Sequence, residues 1–140
     1  MTANSRLHKL REALEDRELD AILVSTPENR RYLSGFSGSA GYLLVSQDNA
    51  LLATDFRYVE QAGRQAPEFR VERITGAQSW LPKLASEIGA QRLGFESQHV
   101  TVATHSELTK AIEEAKGSER LELVPTSGIV EKLRAFKDHE

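Results

Sequence analysis

The chain contains no cysteine, only four prolines and one methionine, and no long apolar run among its 140 residues. The absence of cysteine excludes disulfides, zinc–thiolate sites and cysteine nucleophiles, and it is compatible with a reducing compartment. No window holds about 18 consecutive apolar residues, the length that a membrane-spanning helix needs. The charged N-terminal stretch also lacks the apolar centre of a signal peptide. These absences predict a soluble cytoplasmic protein that does not bind a membrane.

A strong excess of positive charge is missing too. Against 18 lysines and arginines stand 21 aspartates and glutamates, so the formal net charge is −3. Because nucleic-acid binding favours clustered positive charge along the phosphates, nucleic acid is not predicted as a partner. A chain of this length is typical of one domain, which buries about two thirds of its unfolded surface and needs no disulfides.

Strands and helices alternate in the predicted order of elements. Leu7, Leu10 and Leu14 share one helical face, which predicts a helix from Ser5 with Asn4 or Ser5 as its cap. The apolar stretch DAILVS that follows is typical of a buried strand.

A short second helix and a hairpin come next. Thr26 and Pro27 predict a helix start, in which the threonine hydroxyl caps the first free amides, and Gly35 is expected to end that helix. The strands YLLVS and ALLAT are separated by the turn-forming residues QDN, so an antiparallel hairpin is predicted.

The second half of the chain predicts a regular order of helices and strands. The predicted elements are a helix in DFRYVEQAGRQA, a strand in FRVERI, a helix in SWLPKLASEIGA, a strand in RLGFE, a helix after Thr104, a sixth strand in LELV and a final helix in GIVEKLRAFKDHE. Thr104 and Glu107 are interpreted as a capping box, and Gly117 as the end of the helix that follows them. This order predicts an α/β fold with a mixed sheet and helices on both of its faces.

The glycine-rich stretch NRRYLSGFSGSAG, residues 29–41, was tested against two catalytic motifs. The nucleophile elbow requires G-x-S-x-G, and the spacing of GFSG differs. A phosphate-binding P-loop requires a lysine that is absent after Gly41. The glycines therefore predict a sharp exit from a helix into a strand, with an anion-binding nest of backbone amides as the alternative.

The titratable side chains form no catalytic constellation in the sequence. The histidines at positions 8, 99, 105 and 139 lack metal-ligand spacing, so no metal site is predicted within the chain. Asp55 is expected to cap a helix that begins near Phe56, and Glu60 to pair with Arg57 or Arg64. Glu96 follows a predicted strand, where sites often lie in open α/β sheets, but a single carboxylate is not a catalytic pair.

Four motifs resemble, in order and spacing, the N-terminal domain of the creatinase, prolidase and Xaa-Pro aminopeptidase family. They are NRRYLSGFSGS at 29–39, ATDFRYVEQA at 53–62, LGFE at 93–96 and VEKLRAFKDHE at 130–140. The resemblance extends over essentially the whole chain, with Phe136 as a departure where an aliphatic residue is common. It implies a three-layer α/β/α fold, similar to ribonuclease H, with a mixed six-stranded sheet.

The resemblance also implies a longer parent enzyme. Residues 1–127 would form the N-terminal domain, and residues 128–140 would begin a linker helix to an absent C-terminal catalytic domain. In that domain two aspartates, a histidine and two glutamates are expected to hold two divalent metal ions, Mn, Co or Zn, and this chain itself is expected to hold no cofactor. The parent is therefore expected to be a cytoplasmic, homodimeric Xaa-Pro aminopeptidase or dipeptidase acting on short proline-containing peptides, and this chain is expected to be inactive alone.

The family resemblance suggests site residues at the mouth of the partner subunit's active site. The residues expected to line the mouth are Tyr32, Phe36, Ser37 and Ser39. Those expected to brace the mouth or contact the partner are Asp55, Arg57 and Tyr58. Asn29 is expected to cap or pin the loop. The alternative is that these residues only shape a turn and a helix start. Two other functions stay open: a protein-binding pseudo-peptidase, as in the large subunit of the histone chaperone FACT, and the N-terminal domain of a creatinase-like amidinohydrolase.

Overall fold

Six strands form one mixed sheet in the computed structural model, which describes residues 2–75, 78–115 and 121–135. The elements are α1 Ala3–Asp16, β1 Ala21–Val24, α2 Pro27–Ser34, β2 Tyr42–Ser46, β3 Ala50–Thr54, α3 Val59–Gln65, β4 Arg70–Arg73, α4 Trp80–Glu87, β5 Arg92–Glu96, α5 Val102–Glu114, β6 Glu122–Thr126 and α6 Ile129–Ala135. The strand order is β4-β3-β2-β1-β5-β6. β2 pairs antiparallel with β1 and β3, and the other three pairings are parallel. The predicted α/β fold, mixed sheet and hairpin are confirmed.

Helices cover both faces of the sheet, which confirms the three-layer architecture. Ile22 and Val24 of β1 pack with apolar residues of α1, α2, α3 and α6 on one face. Ala21 and Leu23 pack with residues of α4 and α5 on the other. Because successive strand residues point to opposite faces, a central strand between two helical layers has to be apolar throughout, as AILV is.

Two of the predicted helix starts in the outer helices are wrong by a few residues. The N-cap of α1 is Thr2, whose hydroxyl accepts a hydrogen bond from the Ser5 amide, rather than Asn4 or Ser5. The N-cap of α5 is Thr101, which accepts from the Thr104 amide at 3.0 Å. In both cases the threonine lies three residues before the amide that it caps, which is the ordinary N-cap geometry.

α2 begins where predicted, with Thr26 as its N-cap and Pro27 as its first residue, whereas α3 begins later than predicted. Gly35 ends α2 in the left-handed conformation as predicted, with φ 85°, but the Thr26 hydroxyl makes no capping hydrogen bond. α3 begins at Val59 after a turn, later than the predicted start near Phe56. The predictions for Gly117 and Phe136 lie outside the described residues. Within the described part of the chain, no helix has the length and apolar character to cross a membrane.

Candidate functional site

The eight predicted site residues lie on two sides of α2. Asn29 and Tyr32 face α6, at the end of the described chain. The other six surround the loop at residues 35–41, called here the glycine loop. They are Phe36, Ser37 and Ser39 within the loop and Asp55, Arg57 and Tyr58 in the turn that follows β3. The residues expected to form a single mouth thus lie in two neighbouring regions, which are joined by α2.

Arg30 of α2 holds the glycine loop from inside. Its side chain is 5% exposed, and Nη1 donates to the carbonyls of Ser25 at 3.0 Å and Gly41 at 2.9 Å. Nη2 donates to the Gly38 carbonyl at 3.0 Å. Burial lowers the pKa of the guanidinium from its ordinary value, and nearby acidic side chains partly offset this effect. Arginine stays charged in proteins, so one buried cation ties together the end of β1, the loop and the start of β2.

Phe36 fills the space beneath the loop. Its ring is 1% exposed and meets the Tyr58 ring edge to face, with 6.0 Å between centroids. A Cβ atom on Gly38 would lie 2.2 Å from Cζ of this ring, so glycine is required there by close approach. Phe36 therefore acts on the loop surface only by fixing the position of the residues above it.

Substitution of Gly38 tests this packing, with Gly63 as the matched control. We expect Gly38→Ala to lower the free energy of unfolding by about 1–3 kcal/mol, because the buried ring has to move. Gly63 lies in α3 with nothing within 4 Å of an added Cβ, so Gly63→Ala is expected to raise that free energy by about 0.5–1 kcal/mol. Urea unfolding measures both, and equal effects of the two substitutions would contradict the close approach.

The exposed rim of the loop carries neutral hydrogen-bonding groups. The Ser37 amide donates to Oε1 of Gln65 at 3.0 Å, and the Ser37 hydroxyl lies 3.3 Å from Nε2 of Gln61. The Ser39 hydroxyl and the Tyr58 hydroxyl lie 2.5 Å apart. Hydroxyls and amides of this kind orient a bound molecule but do not make it react, since none of these groups is a general base near neutral pH.

Beside the rim, Asp55 and Arg57 form a closed pair. The carboxylate of Asp55 accepts from Nη2 of Arg57 at 2.8 Å, from its Nε at 3.1 Å and from its backbone amide at 2.9 Å. The expected cap is therefore wrong, because the N-cap of α3 is Tyr58, and Arg57 pairs with Asp55 rather than with Glu60. The guanidinium also lies 5.2 Å from the centroid of the Tyr58 ring, so the pair braces the tyrosine at the rim.

The pair makes a pH prediction. Hydrogen bonding to Arg57 lowers the pKa of Asp55 below its ordinary value of 3.8. A depressed carboxyl pKa contributes stability that is present above the unfolded-state pKa and is lost as the pH falls through the folded-state pKa. In an NMR titration we expect Arg57→Gln to raise the Asp55 midpoint and Arg64→Gln, a charge control in α3, to leave it unchanged. An Asp55 midpoint that does not move in Arg57→Gln would contradict the pairing.

Glu96, at the end of β5, anchors the start of α2 and was missed as a partner of this helix. Its carboxylate is 7% exposed; Oε1 accepts from the amides of Ser25 at 2.7 Å and Thr26 at 2.8 Å, and Oε2 accepts from Nδ2 of Asn29 at 2.6 Å. The amides of Ser25 and Thr26 lie just before α2, so the carboxylate fixes the chain where it enters the helix, while the Thr26 hydroxyl does not make the expected cap. Negative charge is favoured at this end of a helix by the helix dipole.

Asn29 extends this network to α6. Its Nδ2 also donates to Oε2 of Glu131 at 2.9 Å, and its Oδ1 accepts from Nη1 of Arg134 at 2.9 Å. Tyr32, one turn further along α2, donates its hydroxyl to the Leu133 carbonyl at 3.3 Å. Asn29 is fully buried. Because both Asn29 and Tyr32 bond to residues of α6, the two predicted residues on this side serve the contact between α2 and α6.

A small cleft of about 170 Å³ lies next to this network and is bordered by Glu96, Glu131 and His99. Nδ1 of His99 lies 2.9 Å from the Ser25 hydroxyl. Across residues 2–75, 78–115 and 121–135, no group of three or more histidine, aspartate or glutamate side chains could hold a metal ion. The side chains of this part of the chain therefore do not fit a dinuclear metal centre.

Comparison with known proteins assigns the domain to a family. The profile of the creatinase/prolidase N-terminal domain matches residues 6–136. The chain belongs to this family. The resemblance inferred from the four motifs is confirmed, and the motif NRRYLSGFSGS contains most of α2 and most of the glycine loop.

Relatives of this creatinase/prolidase N-terminal domain include longer proteins. The uncharacterized peptidase YqhT of Bacillus subtilis (strain 168) is 38% identical over 138 residues, which cover 96% of this chain and 37% of that protein. The Xaa-Pro dipeptidase from Bacillus anthracis has 37% identity and a TM-score of 0.89 over 99% of this chain and 37% of its own. The N-terminal domain of the cytoplasmic peptidase PepQ from Mycobacterium tuberculosis H37Rv has 45% identity and a TM-score of 0.83 over 93% of this chain and 98% of its own. The chain thus spans 37% of the length of the first two.

Proposed function

We propose that this chain is the non-catalytic N-terminal domain of a cytoplasmic Xaa-Pro peptidase, an aminopeptidase or a dipeptidase. The observation that carries the proposal is the likeness to the Bacillus anthracis Xaa-Pro dipeptidase, which covers 99% of this chain at 37% identity but only 37% of that enzyme. The PepQ relative, described as a cytoplasmic peptidase, supports the location.

In the proposed parent, this chain and the catalytic domain have different roles. Residues 1–127 form the N-terminal domain, and residues 128–140, which include α6, begin the linker to a catalytic domain. Two divalent metal ions, Mn, Co or Zn, would be held by that catalytic domain, where they would activate water and polarise the scissile carbonyl. This chain contributes shape and hydrogen bonds instead, because its rim carries hydroxyls and amides.

The glycine loop is the part of this domain that restricts the substrate. In the homodimer, the exposed rim with Ser37, Ser39 and Tyr58 borders the partner subunit's active-site mouth and limits access to short peptides. The Asp55–Arg57 pair braces Tyr58 from the side, while the buried Phe36 supports the loop from below. A dedicated site suits proline peptides because their tertiary amide lacks an N–H and has restricted torsion angles.

Hydrolysis of Xaa-Pro dipeptides and tripeptides tests the proposed function. We expect the full-length parent to cleave them in the presence of manganese or cobalt, and this chain to show no cleavage. A folded, metal-loaded parent without cleavage would contradict the peptidase proposal. Cleavage of creatine without cleavage of these peptides would indicate an amidinohydrolase, and a parent sequence that lacks the five metal ligands would indicate a protein-binding pseudo-peptidase.

A further inference from the structure

Helix α2 connects α6 with the glycine loop through two adjacent residues. On one side Asn29 bonds to Glu131 and Arg134 of α6. On the other side the next residue, Arg30, holds the carbonyls of Gly38 and Gly41. The helix has eight residues and is about 12 Å long, so both sets of contacts lie on one short element.

The C-terminal end of α2 strengthens the link to the loop. The Ser34 hydroxyl donates to the Arg30 carbonyl at 2.6 Å and accepts from the Phe36 amide at 3.0 Å. The Gly35 amide donates to the Arg31 carbonyl at 2.8 Å. The first residues of the glycine loop are thus bonded to the same helical turn that carries the buried guanidinium.

The contacts that α6 makes with Asn29 come from side chains at the surface of the domain. Glu131 and Arg134 are exposed residues of α6 whose side chains reach the buried amide of Asn29. The two charges occupy opposite ends of that amide, since Glu131 accepts from Nδ2 and Arg134 donates to Oδ1. Removing Arg134 takes away the donor to Oδ1 of this buried amide, and removing Glu131 leaves Nδ2 with Glu96 as its acceptor. Either change alters the hydrogen bonds that fix Asn29 within α2.

We propose that Glu131 and Arg134 are positioning residues for the glycine loop and act on it through Asn29 and α2. The opening equilibrium of the loop then depends on contacts between residues that lie 102 and 105 positions apart in the sequence. In the parent, the loop would respond to the direction in which the chain leaves this domain, and that consequence alone rests on the proposed function.

Amide hydrogen exchange in this chain tests the coupling without reference to peptidase activity. The reporters are the amides of Phe36 and Ser37, which donate to Ser34 Oγ and Gln65 Oε1, each at 3.0 Å. In the double variant Glu131→Ala/Arg134→Ala we expect exchange at both reporters to increase about fivefold or more. The matched control Lys132→Ala removes a charge from the same helix and is expected to change the reporters by less than about twofold, below the range of a coupling free energy.

Two comparisons separate coupling from a loss of overall stability. Leu44 and Val45 in the central strand β2 report global opening, and we expect their exchange to change less than that of the loop reporters. Glu131→Gln keeps an oxygen that accepts from Asn29, so this variant is expected to exchange more slowly at the reporters than Glu131→Ala. Faster exchange confined to α6, equal acceleration in β2 and the loop, or identical behaviour of the glutamine and alanine variants would each overturn the proposal.

Discussion

Replacement of Arg30 by alanine is expected to lower the free energy of unfolding by about 3–5 kcal/mol. The substitution removes a buried cation and leaves the carbonyls of Ser25, Gly38 and Gly41 without their donor. Each buried carbonyl that loses its partner costs about 1–3 kcal/mol, and the vacated volume adds a cavity. This loss is a large fraction of the total stability of a small domain.

The comparison with lysine makes the Arg30 prediction specific. A lysine ammonium keeps the charge, but its donors are all on one nitrogen atom. The guanidinium donates from separate nitrogen atoms along fixed directions and so reaches three separated carbonyls. Arg30→Lys is therefore expected to recover only part of the loss, and Arg31→Ala, on the exposed side of α2, to change the stability by less than about 0.5 kcal/mol. Equal stability of Arg30→Ala and Arg31→Ala in urea unfolding would contradict the role of the buried guanidinium.

Substitution of Glu96 by alanine is expected to have the second-largest effect, a loss of about 2–4 kcal/mol. The carboxylate accepts from the amides of Ser25 and Thr26 and from the side chain of Asn29, all within 2.8 Å. Without it, the amides of Ser25 and Thr26 just before α2 lose their acceptor, and a buried asparagine loses one of its acceptors. The loss should appear both as a lower urea midpoint and as faster exchange of the amides of Ser25 and Thr26.

Glu96→Gln separates the hydrogen bonds to the Ser25 and Thr26 amides from the contact with Asn29. The glutamine keeps one acceptor oxygen for the two amides, but its NH2 group would face the NH2 group of Asn29. We therefore expect Glu96→Gln to lower the free energy of unfolding by less than Glu96→Ala does. Glu113→Ala, which removes an exposed carboxylate of α5, is expected to have little effect. Unchanged exchange at Ser25 and Thr26 in Glu96→Ala would show that the carboxylate does not hold the chain at the start of α2.

The strands could be predicted because their signals are local. AILV, YLLVS and ALLAT are apolar runs bounded by turn-forming residues, and they became β1, β2 and β3 with the expected hairpin. The assignment of Ile22 and Leu23 to opposite helical layers could not be read from AILV, because both faces of a central strand are apolar. Only the packing of the helices against the sheet shows which layer each residue faces.

The helix starts show where local rules fail. Thr26 precedes Pro27 as a cap should, yet its amide bonds to Glu96, 70 residues further along the chain, and no local pattern contains that contact. At α5 the sequence offers both Thr101 and Thr104, and the capping-box rule favoured the wrong one because Glu107 follows Thr104 by three residues.

The candidate site was predicted as a set of residues but not as an arrangement. The motif NRRYLSGFSGS marked the right stretch, but Tyr32 faces α6 while Ser37 and Ser39 lie on the exposed rim. Arg30 was missed because an arginine in a polar run is usually exposed, and only the three-dimensional structure places three carbonyls around it.

Peptide-length preference in the full-length parent tests the central claim, that the glycine loop restricts the substrate, most directly. The double variant Ser39→Ala/Tyr58→Phe removes the hydrogen bond at the rim without touching the buried residues beneath it. We predict that the ratio of kcat/KM for an Xaa-Pro dipeptide to that for a longer proline peptide changes by about threefold or more, because under the proposed gating the rim groups would contact the two substrates differently. Ser106→Ala, on an exposed part of α5, should leave the ratio unchanged. A folded, active rim variant with the wild-type ratio would contradict the account.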